Sequence, residues 1–121
     1  MKSRWVVHNG KRLFYADFSN FGADSAALKE ESKAVIALVT QEPFNSVLAL
    51  SDVSDTKGTP ESLAIMKGVV SRTTRYVRKR AAVGLSGVRR ALIEAVNRLS
   101  GEKQFTCFDD AREAKDWLTK E

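Results

Sequence analysis

Short apolar runs alternate with longer amphipathic segments along most of this chain, and that alternation restricts the fold more than any other feature. A strand followed by a helix and a second strand closes most simply as a parallel pair with the helix packed across it. Ser46-Val-Leu-Ala-Leu-Ser51 is one buried-strand run, Ala81-Ala-Val-Gly-Leu85 a second, and Gln104-Phe-Thr-Cys-Phe108 the last. Between them lie helical patterns. Thr59 suits a cap, Pro60 the first helical position, and Glu61 the positive end of the helix dipole. At about 100° per residue, Leu63, Met66, Val70 and Val77 share one side of that helix. It is expected to reach about Lys79, with Arg72, Arg75 and Lys79 outward. Ser86 caps the next helix, whose stripe is Val88, Leu92, Ala95, Val96 and Leu99, with Gly101 just past its end. Asp110 and Glu113 make a capping box in its Asp variant ahead of Ala114, Trp117 and Leu118.

The N-terminal part reads differently. Trp5-Val6-Val7-His8 and Leu13 to Phe18 flank Asn9-Gly10, a dipeptide that tolerates positive φ at both positions and so predicts an antiparallel hairpin. Asp24 caps a helix through about Thr40, with Leu28, Val35, Leu38 and Val39 inward, and Pro43 lies beyond its end. The predicted order is ββαβαβαβα. The fold class is α/β: a mixed, mostly parallel sheet of three parallel strands with the hairpin as an antiparallel edge. Residues 1–121 form a single domain, with no internal repeat or linker. Ligand sites in such sheets lie beyond the carboxyl ends of the parallel strands. Here that rim is made of Ser51–Thr59, Gly84–Gly87 and Asp109–Asp110.

Composition excludes several classes. With 43% hydrophobic and 29% charged residues the chain is ordinary globular material. The single Cys107 cannot form an internal disulfide. No apolar run approaches the roughly 18 residues of a membrane span. Lys2 and Arg4 are followed by only three apolar residues, so no signal-peptide core is expected, and a reducing, cytoplasmic setting follows. Net charge is +5, unevenly spread: no acidic residue falls between Glu61 and Glu94, while Lys67, Arg72, Arg75, Arg78, Lys79, Arg80, Arg89 and Arg90 do. A positive face suits an anionic partner, although charge runs also serve as plain solvated surface. Tyr76 alone is interleaved as a stacking residue, which argues against nucleic acid.

Three pieces of the chain resemble the STAS domain and, more closely, the SpoIIAA-like family, which is itself compared with CRAL-TRIO lipid-binding domains. They are the strand running into Asp52-Val53-Ser54 before a helix, the strand Ala81–Leu85 before a helix, and Phe108-Asp109 followed by Ala111, Glu113, Ala114, Trp117 and Leu118. The resemblance implies a non-enzymatic binding domain without a cofactor, engaged in protein interaction in signalling or regulation. STAS antagonists carry an Asp-Ser-Ser-Gly motif with a phosphorylated serine. Asp55-Thr56-Lys57-Gly58 is the nearest match, and Lys57 stands where the phosphoacceptor would be. Ser54, Thr56 and Thr59 are the substitute acceptors.

Chemistry-bearing residues are sparse. His8 is the only histidine and lies in the hairpin, away from the rim; Cys107 has no Cys-x-x-Cys partner. Asp52 and Asp55 flank a strand end, where paired carboxylates do acid/base work or simply supply turn hydrogen bonds. Gly84-Leu85-Ser86-Gly87, with Arg89 following, is a weak anion-site pattern. The expected binding surface therefore has two parts: Asp52, Ser54, Asp55, Thr56, Lys57 and Thr59, and then Ser86 with Arg72, Arg75 and Arg89. Its expected partner is a protein with an acidic surface. The alternative is a CRAL-TRIO-like carrier of a small amphiphilic or anionic ligand, which needs an apolar cleft. The hairpin edge offers a route to a homodimer through strand pairing.

Overall fold

The computed structural model describes residues 1–85 and 105–120. The described elements are β1 (Arg4–His8), β2 (Lys11–Asp17), α1 (Ser25–Val39), β3 (Val47–Asp52), α2 (Pro60–Thr73), β4 (Val77–Val83), β5 (Phe105–Cys107) and α3 (Ala111–Thr119). The helix predicted after Ser86, and with it Arg89 and Gly101, lies outside the described residues. The five strands form one sheet in the order β1-β2-β3-β4-β5. β1 pairs antiparallel with β2, and every later pair is parallel. The hairpin's second strand therefore belongs to the parallel set, which has four members, and only β1 is the antiparallel edge.

Local chemistry accounts for the element ends. Asn9 and Gly10 both have positive φ, at 51° and 75°, as a two-residue hairpin turn requires. Asp24, Thr59 and Asp110 cap α1, α2 and α3, accepting from the amides of Ala27, Ser62 and Glu113. Strand alternation then assigns two faces. Phe14, Ala16, Val47, Ala49 and Val53 pack with Leu28, Val35 and Val39 of α1 and Val69 of α2. Leu13, Leu48, Leu50, Ala81 and Val83 pack with Ala114 and Leu118 of α3. The sheet is thus covered on both sides, the usual condition of parallel strands.

The main departure concerns the basic stretch. α2 stops at Thr73, not near Lys79, and β4 starts at Val77 rather than Ala81. Thr73, Thr74, Tyr76 and Val77 are β-branched or aromatic and favour the turn into a strand. Within α2 the buried apolar position is Val69, with Val70 only partly covered. Lys79 and Arg80 are consequently not one solvated face. Lys79 Nζ donates to the Trp117 and Lys120 carbonyls at 3.2 and 2.9 Å, tying β4 to the end of α3. Arg80 is 3% exposed, and its guanidinium donates to Thr73 Oγ1 at 2.9 Å and the Val70 carbonyl at 3.2 Å.

The chain start is clamped by α1. Glu31 accepts from the Ser3 amide at 2.8 Å and the Lys2 amide at 3.1 Å. Burial alone would raise the Glu31 carboxyl, but the hydrogen bonds from Ser3 and Lys2 outweigh it and hold the carboxyl below its ordinary value. His8 lies with Nε2 2.6 Å from Asp116 Oδ1, joining the hairpin to α3.

Candidate functional site

Beyond the ends of β2 and β3 the chain does not splay into free loops. The β2–α1 connection and the β3–α2 connection run side by side and are hydrogen-bonded rung by rung. Phe18 donates to the Asp52 carbonyl at 2.9 Å, Asn20 to Ser54 at 2.7 Å, Gly22 to Asp55 at 3.0 Å, and Lys57 back to Gly22 at 2.8 Å. Gly22 and Thr56 form a parallel bridge outside the strands. Thr56 fastens the pair from within: its hydroxyl donates to the Phe18 carbonyl at 2.6 Å and accepts from the Phe21 amide at 3.1 Å. Asp55 turns the chain with φ of 57°, a left-handed conformation that Asp tolerates better than most residues.

The predicted site residues separate on this frame. Asp55, Lys57 and Gly58 are exposed at the crest. Thr59 is half-buried and its hydroxyl serves as the α2 cap. Thr56 is 5% exposed with both hydrogen-bonding roles taken, so the hydroxyl is structural and not presented as a phosphoacceptor. Ser54 lies against Gly84, whose Cα position admits no side chain: an added Cβ would fall 2.4 Å from the Ser54 amide nitrogen and hydroxyl. Asp52 does not join the crest. Its carboxylate accepts from the Tyr15 hydroxyl and, at 3.0 Å, from the Ser54 amide. Tyr15 packs against the α3 side of the sheet. Burial, the hydrogen bond to Asp52 and the Asp52 charge push the Tyr15 phenol well above its ordinary range, so it stays protonated and donating. Asp52 and Asp55 therefore do not converge into a carboxylate pair.

Arg72 and Arg75 are also elsewhere. Both are exposed, but Arg72 lies on the last turn of α2 and Arg75 just past it, at the far end of a helix whose 14 residues span roughly 21 Å. They stand at the pole where the parallel strands begin. Ser86 and Arg89 lie outside the described residues. Among the described residues no group of three His, Cys, Asp or Glu could hold a metal ion.

A cavity of about 120 Å³ lies below the crest. Phe18, Leu28, Val53, Leu63, Met66 and Phe105 give it an apolar wall, and Lys57 and Gly58 lie at its mouth. Ser51 lines it from β3, and the residue is 6% exposed. The sequence put Ser51 and Gly84 on the rim without assigning either to a cavity or a close backbone approach, and read Phe18 only as the end of a strand run. Strand parity carries a signal for the first: Ser51 shares a face with Ala49 and Val53, which places Asp52 on the other.

No family model matches this chain, and no curated protein does. A solved structure does: an uncharacterized protein from the DUF3478 family with a SpoIIAA-like fold, from Shewanella loihica PV-4. The likeness covers 96% of this chain and 91% of that one, with a TM-score of 0.71 and 13% sequence identity. Similarity at that identity concerns architecture rather than activity. The in-order sheet with its antiparallel first strand, helices on both faces and capped terminal helix give this chain the SpoIIAA-like fold.

Proposed function

We propose that this chain is a non-enzymatic binding domain that presents the crest at Asp55, Lys57 and Gly58 to a protein partner in signalling or regulation. The supporting observation is the hydrogen bonding beneath that crest: two adjacent connections are zipped by backbone hydrogen bonds and by Thr56. A surface already held in one shape loses little conformational freedom on binding. The crest carries both signs of charge, so the acidic partner expected from Arg72 and Arg75 is not a requirement at this pole. Affinity capture with the natural chain, with Lys57→Glu and with Arg72→Glu tests the reading. A partner kept by Arg72→Glu and lost by Lys57→Glu supports it. Equal recovery by the natural chain and Lys57→Glu sinks it.

The cavity favours a second reading, a carrier of a small amphiphilic or anionic ligand. Its apolar wall, the Ser51 hydroxyl within and Lys57 at the mouth suit a short apolar group with a polar end. Pockets for drug-sized ligands run to about 300–1,000 Å³, and this one is near 120 Å³, so the protein-partner reading leads. Gentle native mass spectrometry separates the two: a retained small molecule lost in Ser51→Val supports the carrier, and a bare mass goes against it.

A further inference from the structure

The pole opposite the crest holds a second, differently built surface. The α1–β3 and α2–β4 connections meet there: the Asn45 amide donates to the Arg75 carbonyl at 2.8 Å, and the Ser46 and Val47 amides to the Tyr76 carbonyl at 3.0 and 2.9 Å. This brings Phe44 against Tyr76, far from it in sequence, with ring centroids 5.1 Å apart at 62°. Tyr76 is packed against the core, so it props Phe44 edge-on, and Phe44 is left 65% exposed. Flanking Tyr76 in the chain are Arg72 on the last turn of α2, Arg75 in the connection and Arg78 at the start of β4, where the β3–β4 register shifts. All three are exposed and form no ion pair among the described residues. The nearby carboxylate of Glu42 is already engaged by Arg12 at 3.0 Å.

We propose that this pole binds a single-stranded nucleic acid, with the arginines on successive phosphates and Phe44 as the platform for one base. The chemistry matches on both counts. Guanidinium forks bind phosphate oxygens bidentately, and an exposed aromatic held by a second ring is what an unpaired base stacks on. An acidic protein segment would satisfy the arginines through its carboxylates, whereas a nucleic-acid strand supplies both phosphates for the arginines and a flat base for the ring. Tyr76 alone gave a poor stacking surface in the linear sequence; the fold supplies Phe44 beside it.

Fluorescence anisotropy with a labelled oligothymidylate of about 12 nucleotides tests this on the full chain. The expected Kd lies between about 1 and 100 µM at low salt. Three phosphate contacts predict an affinity falling with salt at a logarithmic slope near −2, or roughly 20-fold from 50 to 200 mM. Phe44→Ala is expected to weaken binding about tenfold with the slope unchanged, and Phe44→Trp to retain it. Arg72→Ala and Arg75→Ala are expected to cut the slope by about 0.7 each. These side chains are exposed, so folding is preserved. The proposal is overturned if no saturable binding occurs. It also fails if Lys57→Ala at the other pole costs as much as Phe44→Ala. A polyglutamate of equal charge that binds as well as the strand, with no response to Phe44→Ala, would assign the pole to an acidic protein segment instead.

Discussion

Single positions in this chain differ sharply in what they tolerate. Gly84 has φ of 86°, and a methyl there would strike the Ser54 backbone. Gly84→Ala is expected to lose roughly 3 kcal/mol, from backbone strain plus the forced separation of β4 from the crest. Gly68 is the contrast: it lies inside α2 with nothing within 4 Å of an added Cβ. Gly68→Ala should therefore gain about 0.5–1 kcal/mol. Urea midpoints of the two variants check both signs. Acid titration reports a second pair of residues. Asp17 feels burial, which raises it, but the Ser19 hydrogen bonds and the Lys2 charge leave it below its ordinary 3.8, and Glu31 lies below its ordinary 4.5. Folded values lower than unfolded ones mean stability that is full above those ordinary values and lost as pH falls through the lower folded ones. The thermal midpoint should hold steady down to about pH 5 and then drop, and Glu31→Gln should lower it at neutral pH while flattening the acid limb.

Among the elements, those with local chemistry at their ends were legible from sequence. Asn9-Gly10 specified the hairpin, and Asp24, Thr59 and Asp110 capped the helices they were expected to cap. Each cap replaced by Ala should cost about 1 kcal/mol, measurable by denaturant midpoint. The α2–β4 boundary was not legible, because Val77 fits the helical stripe and no Gly or Pro intervenes between Thr73 and Arg80. Only the sheet supplies the reason for a strand there: Arg80 finds Thr73 and the Val70 carbonyl, and Lys79 finds the end of α3. The site showed the same division. The β3–α2 loop lies beyond the carboxyl end of β3, as strand and helix signals alone predicted. The inward turn of Thr56 and the opposite facing of Asp52 depend on contacts with Phe18 and Tyr15, residues more than 30 positions away. Leu118, 1% exposed on α3, tests the docking of that helix. Leu118→Ala should cost about 2–4 kcal/mol by chemical denaturation.

At the scale of the molecule, the crest and the arginine–aromatic pole sit at opposite ends of the strands, separated by the length of α2. Substitutions at the two ends share no partner, so their effects should add. In a Lys57→Glu, Arg75→Glu double variant, the stability change should equal the sum of the singles to within about 0.5 kcal/mol by denaturant titration. The sheet order has a consequence of another kind. Strands lie side by side in the order in which they occur in the chain. During synthesis each new strand leaving the ribosome meets its neighbour already in place and never has to insert between two others. Assembly then proceeds as growth at one moving edge, and a nascent chain halted after β3 already holds the crest partners Gly22 and Thr56 once the next few residues emerge.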